Sequence, residues 1–130
     1  MQIRMKDLTV ELSADRPGTL ATAFEAIANA NINVDGFAEI GGTLHLLTRD
    51  AAATRRALES GGFRVTRDDD VVVVDVVDRP GAAANIFRQL GDADVNVTFA
   101  YVATGNRVTI GAANITKAAE IVSRTGAAIG

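Results

Sequence analysis

At 130 residues, with 48% hydrophobic and 22% charged side chains, the chain is long enough for one globular domain or two very small ones. A net charge of −3 argues against a surface built for phosphate backbones, and the absence of cysteine excludes disulfides and thiolate chemistry. No apolar run approaches the roughly 20 residues needed to cross a bilayer, and the start MQIRMKDLTVELS lacks the apolar region of a secretory signal, so the expected setting is the cytoplasm, with neither nucleic acid nor membrane as partner.

Leu8, Val10 and Leu12 alternate with Thr9, Glu11 and Ser13, the pattern of a half-buried strand. Asp15-Arg16-Pro17-Gly18 follows, then Leu20, Phe24 and Ile27 at helical spacing, with the proline in the first turn where its missing N–H costs nothing. Asn29 or Asn31 ends this helix in a left-handed conformation. Residues 34–40 and 43–48 flank Gly41-Gly42 and read as a hairpin. Asp50 is the expected N-cap of a second helix carrying Thr54, Ala57 and Leu58, which Gly62 ends, and residues 63–66 read as a closing strand. Asp68-Asp69-Asp70 reads as a solvated linker too short for independent motion, without the ligand spacing of a calcium loop.

The same order then returns. Asp-Arg-Pro-Gly recurs at Asp78-Arg79-Pro80-Gly81, 63 residues after the first copy. That offset places Phe24 on Phe87, Ile27 on Leu90, Asn33 on Asn96 and Val34 on Val97, which indicates an internal duplication. Residues 71–77 are apolar apart from Asp75, as in a strand covered on both faces. Ala83, Phe87 and Leu90 mark a helix, with Gly91 expected to end it. Residues 95–102 and 107–110 flank Gly105-Asn106 in a second hairpin, one residue longer, so that from there the offset becomes 64. Asn114 caps the last helix, Gly126 ends it, and a short strand over 127–130 is expected. Each copy therefore reads strand–helix–strand–strand–helix–strand, the ferredoxin-like order, over residues 1–67 and 71–130 with 68–70 between. The fold class is α+β: two such units in tandem, antiparallel sheets with helices on one side.

The D-R-P-G loop after an apolar strand, the helix carrying Phe or Leu, and N-I-N-V or D-V-N-V entering the next strand resemble the ACT domain family across nearly the whole chain. The first copy is similar to the regulatory half of aspartokinases, and the second to small stand-alone tandem-ACT proteins. The resemblance implies a non-catalytic regulatory module that binds a free amino acid where the loop of one unit faces the second strand of another. It assigns Asp15, Arg16, Pro17 and Gly18 with Asn96 to one site, and Asp78, Arg79, Pro80 and Gly81 with Asn33 and Asp35 to the other. Serine-binding members have N-R-P-G with a His two residues earlier. Here Asp15 and Asp78 replace that Asn, with Ser13 and Val76 at the His position.

No nucleophile–base set or metal cluster can be assembled, so neither an enzyme nor a cofactor is expected. His45, the only histidine, matches Thr109 and belongs to the polar face of its strand. The alternative to amino-acid binding is a ligand-free interaction module docked on an amino-acid biosynthetic enzyme. On the 63-residue offset Thr9, Glu11 and Ser13 correspond to Val72, Val74 and Val76, which leaves these valines away from the helices. The expectation is a homodimer largely through the second copy, by this sheet face or by the edge its short final strand leaves, the competing arrangement being that the first copy folds over the valines within the same chain. The same parity puts Asp75 where Leu12 points inward.

Overall fold

The computed structural model describes residues 2–12 and 16–124. Asp15, Gly126 and the closing strand expected over 127–130 lie outside the described residues. The elements in chain order are β1 (Gln2–Glu11), α1 (Thr19–Asn29), β2 (Gly36–Ile40), β3 (Thr43–Thr48), α2 (Ala51–Ser60), β4 (Arg64–Asp75), α3 (Ala82–Asp92), β5 (Val97–Ala103), β6 (Arg107–Ala112) and α4 (Ile115–Arg124). The architecture is α+β, with the strand pairs β1–β3, β2–β3, β4–β6 and β5–β6 all antiparallel.

Lys6–Asp69 is one compact unit, and the described residues before Lys6 and after Asp69 make the other. In the Lys6–Asp69 unit, β3 lies between β1 and β2, with Val10 opposite Leu44 and Phe37 opposite Leu46. Leu8, Val10 and Leu12 point to the face covered by both helices and pack with Ala23, Ile27, Leu44, Leu46 and Leu58. The Phe24 and Phe37 rings meet edge to face at 4.9 Å. Arg64 begins the strand that closes the unit beside β1, where the Thr66 hydroxyl donates to the Thr9 carbonyl at 3.3 Å.

In the second unit, β6 lies between β4 and β5, and Val72 and Val74 pack with Ile86, Leu90, Ile110, Ala118 and Val122. This corrects the expected parity. Val72 and Val74 are buried under their own helices and Val76 packs partly buried against them, so they match Leu8, Val10 and Leu12 at an offset of 64. The cause is one extra residue in the first copy between the last core-facing strand residue and the loop: Leu12 precedes Asp15 by three positions, Val76 precedes Asp78 by two. A one-residue shift moves every strand side chain to the other face. The valine stripe that suggested a homodimer is therefore not bare, and Asp75 lies opposite Arg107 on the other face rather than aimed into the core. Val71 and Val73 on that second face are also buried, so the apolar run is covered on both sides as its composition implied.

The acidic run lies in a strand, and the boundary between the two units falls within it. Asp68, Asp69 and Asp70 lie within β4, which runs unbroken from Arg64 to Asp75. Basic side chains hold this charge in an extended strand: Lys6 Nζ is 3.7 Å from Asp68, Arg67 makes a two-pronged contact with Asp69, and Arg4 is 3.8 Å from Asp70.

Hairpin turns follow the residue types. Gly41 and Gly42, and Gly105 and Asn106, all have positive φ. Helix α1 ends with Asn31 at φ 59°, but α3 does not end at Gly91. Gly91 matches Ala28 inside the helix, and Asp94 at φ 59° takes the left-handed position equivalent to Asn31. The Ile32 and Val95 amides close the two helices by donating to the Ile27 and Leu90 carbonyls at 3.2 and 2.9 Å.

Gly111 is buried where the Phe99 ring crosses β6, and a β-carbon there would sit 2.4 Å from the ring. Gly111→Ala is expected to cost about 1–3 kcal/mol by overpacking. Thr109 on the same strand buries a hydroxyl with no hydrogen-bond partner among the described residues, so Thr109→Val is expected to leave stability unchanged or raise it. Urea denaturation of the two variants checks both signs.

Candidate functional site

The described residues of the two Asp-Arg-Pro-Gly loops share one backbone. Gly18 has φ 94° and ψ −16°, and Gly81 has φ 90° and ψ −11°. The Gly18 carbonyl accepts from the Thr22 amide and the Gly81 carbonyl from the Asn85 amide, both at 3.0 Å. The Arg16 and Arg79 carbonyls accept from the Thr19 and Ala82 amides, both at 3.3 Å. A β-carbon at either glycine would meet nothing within 4 Å. Glycine is required here by the left-handed backbone and not by crowding, and the space outside each loop is open.

The four helix starts divide into two kinds. Asp50 caps α2 by accepting from the Ala53 amide at 3.0 Å, and Asn114 caps α4 by accepting from the Lys117 amide at 3.1 Å. Helices α1 and α3 begin on Gly18 and Gly81 with no side-chain cap among the described residues. First-turn amides lack intrahelical acceptors and carry partial positive charge. At α2 and α4 the protein supplies the acceptor. At α1 and α3 the place suits a carboxylate from outside.

Each loop lines a cleft of its own unit. Arg16, Pro17 and Gly18 border one of about 320 Å³ with Thr19, Thr22 and Phe63. Asp78 and Arg79 border one of about 240 Å³ with Val76, Val102 and Val108. Pro80 and Gly81 continue the second loop into α3. Asn33 and Asn96 line neither cleft, and both are exposed just ahead of the strand that follows their helix. Asp35 is 6% exposed, with Arg49 Nε 3.6 Å from its carboxylate.

A search of solved structures finds this architecture in protein BT0572 of Bacteroides thetaiotaomicron, at 26% identity and TM-score 0.70, covering 96% of this chain and 89% of that one. The regulatory subunit of aspartate kinase from Thermus flavus matches at 18% identity and TM-score 0.69, covering 95% and 94%. Aspartokinase III of E. coli, in complex with lysine and aspartate, matches at 16% identity and TM-score 0.65, covering 98% of this chain and 32% of that one. The chain shares the fold of aspartate kinase regulatory subunits. The likeness to the aspartokinases is one of fold, in agreement with the resemblance carried by the two motifs. No family model matches the sequence, and no curated protein does. No described helix is long and apolar enough to cross a membrane.

One ionisable pair on this scaffold escapes sequence reading. Asp7 is fully buried on the face of β1 turned away from the helices, and His45 Nδ1 lies 2.9 Å from its Oδ2. A carboxylate accepts only, so Nδ1 carries the proton. The hydrogen bond to Asp7 raises the pKa of His45 above its usual 6.5, against the opposing effect of burial. Asp69 adds to the rise and Arg67 opposes it. His45 was expected on the polar face and lies there, but its acidic partner is 38 positions away and only strand register brings them together.

Two outcomes follow from these geometries. Gly18→Ala and Gly81→Ala should each cost about 1–2 kcal/mol, the penalty of a left-handed backbone for an L residue, measured by urea denaturation. A folded-state pKa raised above 6.5 means that the His45 contribution is complete below the unfolded value and lost as pH rises through the folded one. The melting temperature should therefore drop as pH rises from about 6.5 through the higher folded-state value, and His45→Asn should flatten that part of the profile.

Proposed function

We propose that the chain is a non-catalytic regulatory module, two ACT units in tandem, that binds a free amino acid at its Asp-Arg-Pro-Gly loops. The observation that carries this reading is the contrast in capping among the described residues: α2 and α4 are closed by their own side chains, whereas α1 and α3 start on left-handed glycines with no side-chain cap. The ligand's α-carboxylate takes the first-turn amides, with Arg16 or Arg79 adding positive charge. Its α-ammonium takes a side-chain oxygen, for which Asp78 stands beside the second loop. Asp15, Asn33, Asp35 and Asn96 complete the set that the resemblance assigns. The fold shared with aspartokinase regulatory subunits supports a regulatory role, exerted on an amino-acid biosynthetic enzyme. Binding regulates by favouring one conformation or one partner complex over another, in proportion to the ligand's preference between them.

A second reading is a ligand-free docking module. The exposure of Phe37 (50%) and Ile40 (78%) on β2 favours it. A thermal-shift screen of the standard amino acids separates the two. An amino acid at a hundred times its dissociation constant should stabilise the chain by about 2.7 kcal/mol, and Arg16→Ala, Arg79→Ala, Asn33→Ala and Asn96→Ala should reduce that shift. No shift with any amino acid would leave the docking reading standing alone.

A further inference from the structure

Because the two units repeat one scaffold, a change of side-chain size at matched positions shows where one copy has opened space. In the Lys6–Asp69 unit, Leu12 and Leu44 sit in the core at 8% and 0% exposure with Leu20 packed against them. The matched residues of the second unit are Val76, Val108 and Ala83. The three differences remove about five carbons in all, roughly one aliphatic side chain, from the end of the core nearest the loop. All three smaller residues line the cleft of about 240 Å³ beside Asp78 and Arg79. Val77, Ala82 and Val102 complete much of its apolar wall.

The mouth of this cleft is polar in a particular way. Asp78 and Arg79 are both exposed and of opposite charge, and the start of α3 at Gly81 lies directly after them. Opposite charges beside an apolar recess match a zwitterion with an apolar tail: carboxylate to Arg79 and the α3 amides, ammonium to Asp78. Arg107 also lines the recess, but its guanidinium is held by the Thr104 carbonyl at 2.7 Å and the Thr104 hydroxyl at 3.0 Å. The first loop differs, because Thr19 and Thr22 border its cleft and the Thr22 hydroxyl donates to the Gly18 carbonyl at 2.9 Å.

We infer that the cleft beside Asp78 and Arg79 takes the side chain of a free aliphatic α-amino acid of about the size of leucine or valine. This inference rests on the reading of the loops as amino-acid sites and adds the ligand class. An apolar cavity of about 150 Å³ admits a benzene-sized guest, so the space is adequate. A matched aliphatic side chain and a polar one differ in the hydrophobic area they bury, which is the basis of the discrimination.

The test is isothermal titration calorimetry of the full chain with leucine, isoleucine and valine, and with lysine, aspartate and serine as comparators. The aliphatic ligands should bind more tightly. Ala83→Leu, which restores the bulk of Leu20 at an exposed helix position, should weaken them by about 10-fold to 200-fold while the circular-dichroism melt stays cooperative. Val108→Leu, which restores the bulk of Leu44, serves as a second filling variant should Ala83→Leu fold poorly. Preferential binding of a comparator, or unchanged affinity for the aliphatic ligands in a folded filling variant, overturns the inference and leaves the amino-acid reading intact. No binding by any amino acid overturns that reading, and the inference with it.

Discussion

A row of aliphatic side chains on alternate residues of one strand, pressed against two helices, holds each unit together, and the position of everything else follows from where that row points. Leu8, Val10 and Leu12 form it in one unit, and Val72, Val74 and Val76 in the other. Burying such a side chain contributes about 1.5–3 kcal/mol relative to exposure, whereas an exposed ion pair of the kind around Asp68 and Asp70 contributes about 0–1 kcal/mol. The row therefore decides which face of the strand meets the helices, and so the point from which the chain must turn into α1 or α3. The left-handed glycine makes that turn, and the helix then lands its own apolar stripe, Ala23 and Ile27 or Ile86 and Leu90, on the same row. The loops are placed by the core beneath them.

What the sequence shows clearly is whatever a short stretch of backbone demands. Asp50 and Asn114 cap helices because their side chains reach the next turn, and Gly41-Gly42 and Gly105-Asn106 turn hairpins because they accept positive φ. The correspondence between the two units is legible because both loops keep the same four residues. The parity of the second strand is not, since an unbroken run from Val71 to Val74 has no polar residue to mark a face. The acidic run misleads for a related reason: three aspartates resemble a solvated tether until Arg4, Lys6 and Arg67 are found against them. Of the site residues, Arg16, Pro17, Gly18, Asp78 and Arg79 meet in clefts within their own units. The Leu-to-Val and Leu-to-Ala differences behind the second cleft acquire meaning only once the offset is corrected.

The two units resemble each other on the helix-facing side and differ on the other. Asp7, Thr9 and His45 of the first unit correspond to Val71, Val73 and Thr109 of the second. A buried carboxylate needs a hydrogen-bonding partner, and His45 supplies it. With valine in place of that acid no such partner is needed, and the residue matching His45 is a threonine whose hydroxyl bonds to nothing among the described residues. Leu47, matched by Gly111, shows the same freedom. Removing the side chain from β6 makes room for the Phe99 ring, which stacks near Tyr101 with centroids 6.2 Å apart.

The division of the chain has a consequence for its synthesis. The Lys6–Asp69 unit is contiguous, so every partner it needs has left the ribosome once Asp69 has. The other unit is interrupted by it: Arg4 emerges ahead of the inner unit, yet its carboxylate partner Asp70 follows only after the whole inner unit has been made. The loop that must close to join them is the length of a small domain, and its entropic cost falls sharply if that loop is already folded. If the insert folds first, it shortens the loop that its host has to close.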